Sequence, residues 1–187
     1  MITTTAILGW GSLLWEGGSA FDATHGAWQY DGPILKLEFS RISKSRSGAL
    51  TLVIDPQNGV PTRVAWCTSC RNVISEAVED LGKREGTEAG GIGRIGHEAD
   101  TAYQDTESYD VIRSWMIKHD LAGVVWTDLR ANFAEKTGHA FSVEAAIQYL
   151  RSLDASSKTK ALEYIDRAPA FIQTPLRVAI SKLSAPI

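Results

Sequence analysis

The apolar residues of this 187-residue chain change their spacing once, near Arg71, and that change limits the folds open to it. Before it they recur in even steps: Trp28, Tyr30, Leu35, Leu37 and Phe39 with a break at Gly32-Pro33, then Ala49 to Ile54, then Val60 to Trp66. A period of two places alternate side chains on one strand face, so Ala27 to Ile42 reads as a bent strand with one buried face. The basic turn Lys44 to Gly48 and the turn Asp55 to Gly59 separate the three runs, which together read as an antiparallel meander. After Arg71, Val73, Ile74, Ala77, Val78 and Leu81 recur at helical spacing until Gly82 to Gly86. Further helices are expected from about Thr106, from Val143 behind an N-cap at Ser142, from Ala161 to Arg167 after a turn at Ala155 to Lys158, and from Pro175 to Leu183. Ala6-Ile7-Leu8 and Ala122 to Trp126 read as short buried strands. Strands first and helices later describe an α+β domain, not an alternating α/β sheet. The length predicts one domain over 1–187, with 106–187 as a mostly helical extension packed on it.

Composition narrows the partners. A net charge of -3 with mixed signs gives no general electrostatic footprint for nucleic acid, and no apolar run approaches membrane-spanning length. Met1 to Thr5 carry no Lys or Arg and the apolar run behind them is cut by Gly9 and Gly11, so no signal peptide is read and a cytoplasmic location is expected. The two cysteines, Cys67 and Cys70, form one CxxC, half of a zinc site or a redox pair by spacing alone. His25, His97, His119 and His139 are scattered without metal spacing, so two buried thiols at a strand-to-helix junction are the preferred reading, with no metal.

Two stretches carry chemistry. Gly9-Trp10-Gly11-Ser12-Leu13-Leu14 leaves a short strand as a glycine-bracketed turn, which either redirects the chain or exposes backbone N–H groups to an anion, with φ > 0 open to both glycines. It completes neither GxGxxG nor a P-loop. Leu81-Gly82-Lys83-Arg84-Glu85-Gly86 puts a carboxylate at a helix end, where the macrodipole disfavours negative charge, so a buried Glu85 suits proton transfer near neutral pH. A solvated glutamate is the plain alternative. Arg41 and Arg84 suit either a substrate carboxylate or an ordinary salt bridge, and Trp126-Thr127-Asp128-Leu129-Arg130 brings polar groups to a strand end.

Taken together, Gly9 to Leu13 resembles the YGSN/YGSL loop of the γ-glutamylcyclotransferase-like proteins, and Leu81 to Gly90 resembles their Leu-x-x-x-Glu-Gly-x-x-x-Gly segment. Leu37-Glu38-Phe39-Ser40 and Val64-Ala65-Trp66 fit the order between these two, so the resemblance covers roughly residues 6 to 95. Trp10 stands in place of the loop tyrosine, and Gly91-Ile92-Gly93 in place of a following aromatic. The resemblance implies a small mixed β-barrel flanked by helices and an intramolecular cyclisation of γ-glutamyl amines, peptides or glutathione-like conjugates to 5-oxoproline. It implies Glu85 as general base and acid, substrate contacts from Gly9, Trp10, Gly11, Ser12, Leu13 and Arg41, and no cofactor. The rival reading is a non-catalytic module of the same fold that binds a small anion at the glycine loop.

Overall fold

A computed structural model of the chain describes residues 4–17, 20–87, 89–96 and 106–183. The described strands are β1 (Thr5–Gly9), β2 (Ile34–Ser43), β3 (Ala49–Ile54), β4 (Val60–Arg63), β5 (Ala65–Thr68), β6 (Ile92–Gly96) and β7 (Gly123–Thr127). The α-helices are α1 (Ile74–Glu85), α2 (Thr106–Lys118), α3 (Phe133–Thr137), α4 (Val143–Ser152), α5 (Ala155–Arg167) and α6 (Pro175–Ser181). The class is α+β. Among the described residues the strands make two open sheets, β5-β1-β7-β6 and β3-β2-β4, and no closed barrel, so the barrel expectation is met only at the level of class. Among the same residues no helix is long and apolar enough to cross a membrane.

The chain divides into two compact units, one of Met1–Leu35 with Arg63–Leu129, the other of Lys36–Thr62 with Arg130–Ile187. The stretch expected as a helical extension is shared between them: α2 and β7 belong to the first unit, α3 to α6 to the second. In the first unit β1 pairs antiparallel with β5 and parallel with β7, and β7 pairs antiparallel with β6. A strand with neighbours on both sides and no solvent face reads as a continuous apolar run, and Thr5 to Gly9 are all buried. On one face of this sheet Ile7, Cys67, Ile92 and Val125 meet Ala77, Val78 and Leu81 of α1. Burying each large aliphatic side chain here contributes about 1.5–3 kcal/mol.

Helix α1 starts at Val73 without a side-chain cap and is braced outside by Arg71, whose guanidinium donates to both oxygens of Asp80 at 2.6 and 3.1 Å. It stops at Gly86, whose φ of 61° is left-handed. Thr87 N donates to Gly82 O at 3.0 Å and Gly86 N to Lys83 O at 3.4 Å, the paired bonds of a Schellman ending. Glycine at this position avoids the Cβ penalty of that conformation.

In the second unit β2 is flanked by β3 and β4, so the order is not the simple meander expected from the chain order. The run Val60 to Trp66, expected as one strand, breaks at Val64 into β4 and β5, which join different sheets. The pairing of β2 with β3 carries a bulge between Glu38 and Arg41. Helix α5 packs on β3 and α4 on α6. Ser142 Oγ accepts from Ala145 N at 3.1 Å, as its capping position predicts. Asp154 caps Ser156 and Ser157, so Ala155 to Lys158 is the first turn of α5 and not a connecting turn. Pro175 opens α6 behind the Thr174 cap, and that helix ends at Ser181, two residues short of the expected Leu183.

Glu38 was unremarkable in sequence and is fully buried. Its Oε1 accepts from Phe39 N at 2.7 Å and its Oε2 from Leu176 N at 3.3 Å, and Thr174 also hydrogen-bonds the carboxyl. The carboxyl therefore ties β2 to the first turn of α6. Burial pushes its pKa above the usual value, against the opposing effect of these hydrogen bonds.

Candidate active site

The candidate site lies in the first unit, where β1 delivers the glycine loop and α1 delivers Glu85. Ile74 of α1 lies against Gly123, the first residue of β7: a Cβ on Gly123 would stand 2.8 Å from Ile74 Cδ1. Gly82 lies against Ile92, which pairs with Thr127, the last residue of β7. Helix α1 thus runs in the direction of β7, which is parallel to β1. The ends of all three elements meet at one edge of the sheet, and Glu85 sits there, one turn beyond Gly82.

The loop is held from inside. Ser12 to Leu14 form a 3₁₀ turn whose own bonds are donated by Leu14 N to Gly11 O (3.0 Å) and Trp15 N to Ser12 O (3.2 Å). Leu13 packs against the core beneath α1. Trp10 and Ser12 are buried. Neither loop glycine has positive φ, which corrects the reason expected for them. Gly9 is there for space: a Cβ would lie 2.7 Å from the Trp28 ring and 3.3 Å from Leu14 Cδ2.

Arg84 binds the loop to the helix end. Its Nη2 donates to Glu16 O at 3.1 Å and to Ser12 O at 3.5 Å, and it stands 3.6 Å from Glu16 Oε2. The residue next to Glu85 therefore grips a loop 72 positions away in sequence. Of its two expected roles this is the structural one. Glu85 Oε1 is shielded from solvent, unlike a solvated helix-end glutamate.

Other candidates fall elsewhere. Arg41 belongs to the second unit, where its Nη1 donates to Arg130 O at 2.8 Å and burial pushes its pKa down. Cys67 and Cys70 are free thiols, but only Cys67 is buried, with burial pushing its pKa up; Cys70 is exposed, which corrects the expectation of two buried thiols. Cys67 ends a run of core-facing positions, whereas Cys70 lies beyond β5. His97 lies outside the described residues.

A cavity of about 460 Å³ opens along α1, lined by Ile74, Val78, Gly82, Thr87 and Arg94. Neither Glu85 nor the glycine loop lines it, and its walls offer mainly apolar surface, so the chemistry-bearing groups lie at the helix end and not in this groove. The sequence pointed to both the loop and Glu85. It did not single out the clamp by Arg84, because the guanidinium's acceptors are carbonyls with no side-chain signature.

No family model, curated protein or solved structure matches this chain.

Proposed function

We propose that the chain is a cofactor-free γ-glutamylcyclotransferase-like enzyme of the cytoplasm, with that family's fold, acting on a γ-glutamyl amine, peptide or glutathione-like conjugate. One observation carries the reading. Arg84 binds Glu16, just past the Gly9–Leu13 loop, and reaches Ser12 within it, so the glycine-bracketed turn and a carboxylate with one oxygen shielded from solvent stand at one edge of one sheet. A binding module for anions gains nothing from a carboxylate beside its ligand, and this favours the enzyme over the rival.

In the reaction Glu85 takes a proton from the substrate's α-ammonium. The freed amine attacks the γ-carbonyl carbon of the same molecule, forming the lactam C–N bond through a tetrahedral oxyanion. The bond to the leaving nitrogen then breaks as Glu85 returns the proton to it, while the ring nitrogen releases its second proton to solvent and the departing amine takes one up, giving 5-oxoproline and an ammonium with no water consumed. Tethering the two reacting groups removes most of the entropic barrier, so the protein has to fold the substrate back and carry protons from the attacking nitrogen to the leaving one. Amides of Gly11 to Leu13 hold the α-carboxylate or the oxyanion.

The test is release of 5-oxoproline from a panel of γ-glutamyl amines, γ-glutamyl peptides and glutathione, with wild type and Glu85→Gln side by side. Turnover by wild type and a loss of about 10²–10⁴-fold in the folded variant are expected. A folded Gln variant with near wild-type release overturns the assignment of Glu85. Ligand binding without turnover by wild type gives the function to the anion-binding rival.

A further inference from the structure

Thr127 closes β7, and its hydroxyl is shielded from solvent with no hydrogen-bond partner among the described residues. Leaving a buried hydroxyl unsatisfied costs stability, and valine has the same shape without that cost. The position of the hydroxyl matters for the same reason. Alternation along the strand puts Thr127 on the face of Val125, which is buried in the core beneath α1. The parallel register pairs Ile7 with Val125, and continuing it by two residues brings Thr127 abreast of Gly9, where the glycine loop begins. On its other side Thr127 pairs with Ile92, whose side chain lies against Gly82. Glu85 follows Gly82 by three residues, nearly one helical turn, and so projects from the same side of α1 toward the same edge. Thr127 thus lies between the loop and the carboxylate.

We infer that Thr127 is a substrate contact of this site: its hydroxyl oxygen accepts a hydrogen bond from the α-ammonium of a γ-glutamyl substrate, beside Glu85. The inference rests on the cyclotransferase reading. It adds that the amine is oriented from two sides, by Glu85 which removes its proton and by Thr127 which aims its lone pair at the γ-carbonyl. Bound substrate would also satisfy the hydroxyl that the folded chain leaves without a partner.

The experiment compares wild type, Thr127→Val and Thr127→Ser on γ-glutamyl-alanine, with N-glutaryl-alanine, which lacks the α-amine, as a competitive inhibitor. Melting temperature is recorded on the same preparations. In Thr127→Val, kcat/KM is expected to fall about 10- to 100-fold, the range of one hydrogen bond to a charged group. The melting temperature stays level or rises, and the inhibition constant of N-glutaryl-alanine changes less than about twofold, since that ligand never used the bond. Thr127→Ser restores most of kcat/KM. A folded Thr127→Val enzyme with wild-type kcat/KM overturns the inference and leaves the cyclotransferase reading standing. An equal loss of affinity for N-glutaryl-alanine, or a Val variant that does not fold, assigns the hydroxyl a structural role and overturns it too. A wild-type protein that releases no 5-oxoproline from γ-glutamyl-alanine removes the reading on which the inference stands.

Discussion

Replacing Arg84 by methionine keeps the aliphatic stem and deletes the guanidinium, so it isolates the clamp between α1 and the glycine loop. The magnitude follows from three contacts. The bond from Nη2 to Glu16 O, at 3.1 Å from a charged donor, falls in the class worth about 1.5–3 kcal/mol. The contact to Ser12 O, at 3.5 Å, is at the weak limit and adds little. The ion pair with Glu16 at 3.6 Å, with side chains 13% and 30% exposed, adds between about 0 and 1 kcal/mol. We therefore expect the loop to lose about 2 kcal/mol of local stability. The assay is amide hydrogen exchange at Leu14, Trp15 and Glu16, whose N–H groups close the 3₁₀ turn. Local opening easier by that amount lowers their protection about 30-fold. Amides in the middle of α1 should change little, because the helix retains its core contacts through Ala77, Val78 and Leu81. Protection at the three turn amides within about threefold of wild type would show that Arg84 does not hold the loop, and would remove the observation on which the proposed function rests.

The Glu38 carboxyl has a raised pKa in the folded state, chiefly through burial, so as pH climbs above the ordinary value of 4.5 the unfolded chain gives up this proton first. Its contribution is therefore fully present below that pH and is lost as pH rises through the folded value. Stability measured against pH by denaturant unfolding should fall more steeply above 4.5 in wild type than in Glu38→Gln, and parallel curves would refute this. Gly86→Ala meets no atom within 4 Å, so its cost is conformational: a Cβ at φ 61° should destabilise α1 by about 1–2 kcal/mol. An unchanged unfolding midpoint for that variant would show that the helix ends another way.

What could be read in the sequence depended on neighbours a few residues apart. Ser142 caps a helix because its hydroxyl reaches Ala145, Pro175 opens one because its fixed φ suits the first turn, and Ala49 to Ile54 is a strand with the bounds its apolar run marks. The end of α1 was legible too, since Gly86 supplies the left-handed residue that places Glu85 last in the helix. Strand partners were not legible. A period of two says which face is buried but not which strand lies beside it, so nothing local inserts β7 between β1 and β6, about 115 and 30 residues away in the chain. The same limit hid the break at Val64, where two halves of one apolar run pair into different sheets. Polar side chains show it most sharply. Glu38 looks like any charged residue until Leu176, 138 positions on, gives it an amide to bind. Arg84 looks like a surface cation until the loop returns to offer its carbonyls. Sequence thus determined the class, the end of α1, the starts of α4 and α6, and the chemical groups on hand. Tertiary structure decided which groups share a sheet edge, because hydrogen bonds between groups 70 to 140 residues apart form only once the chain has paid the entropy of bringing them together.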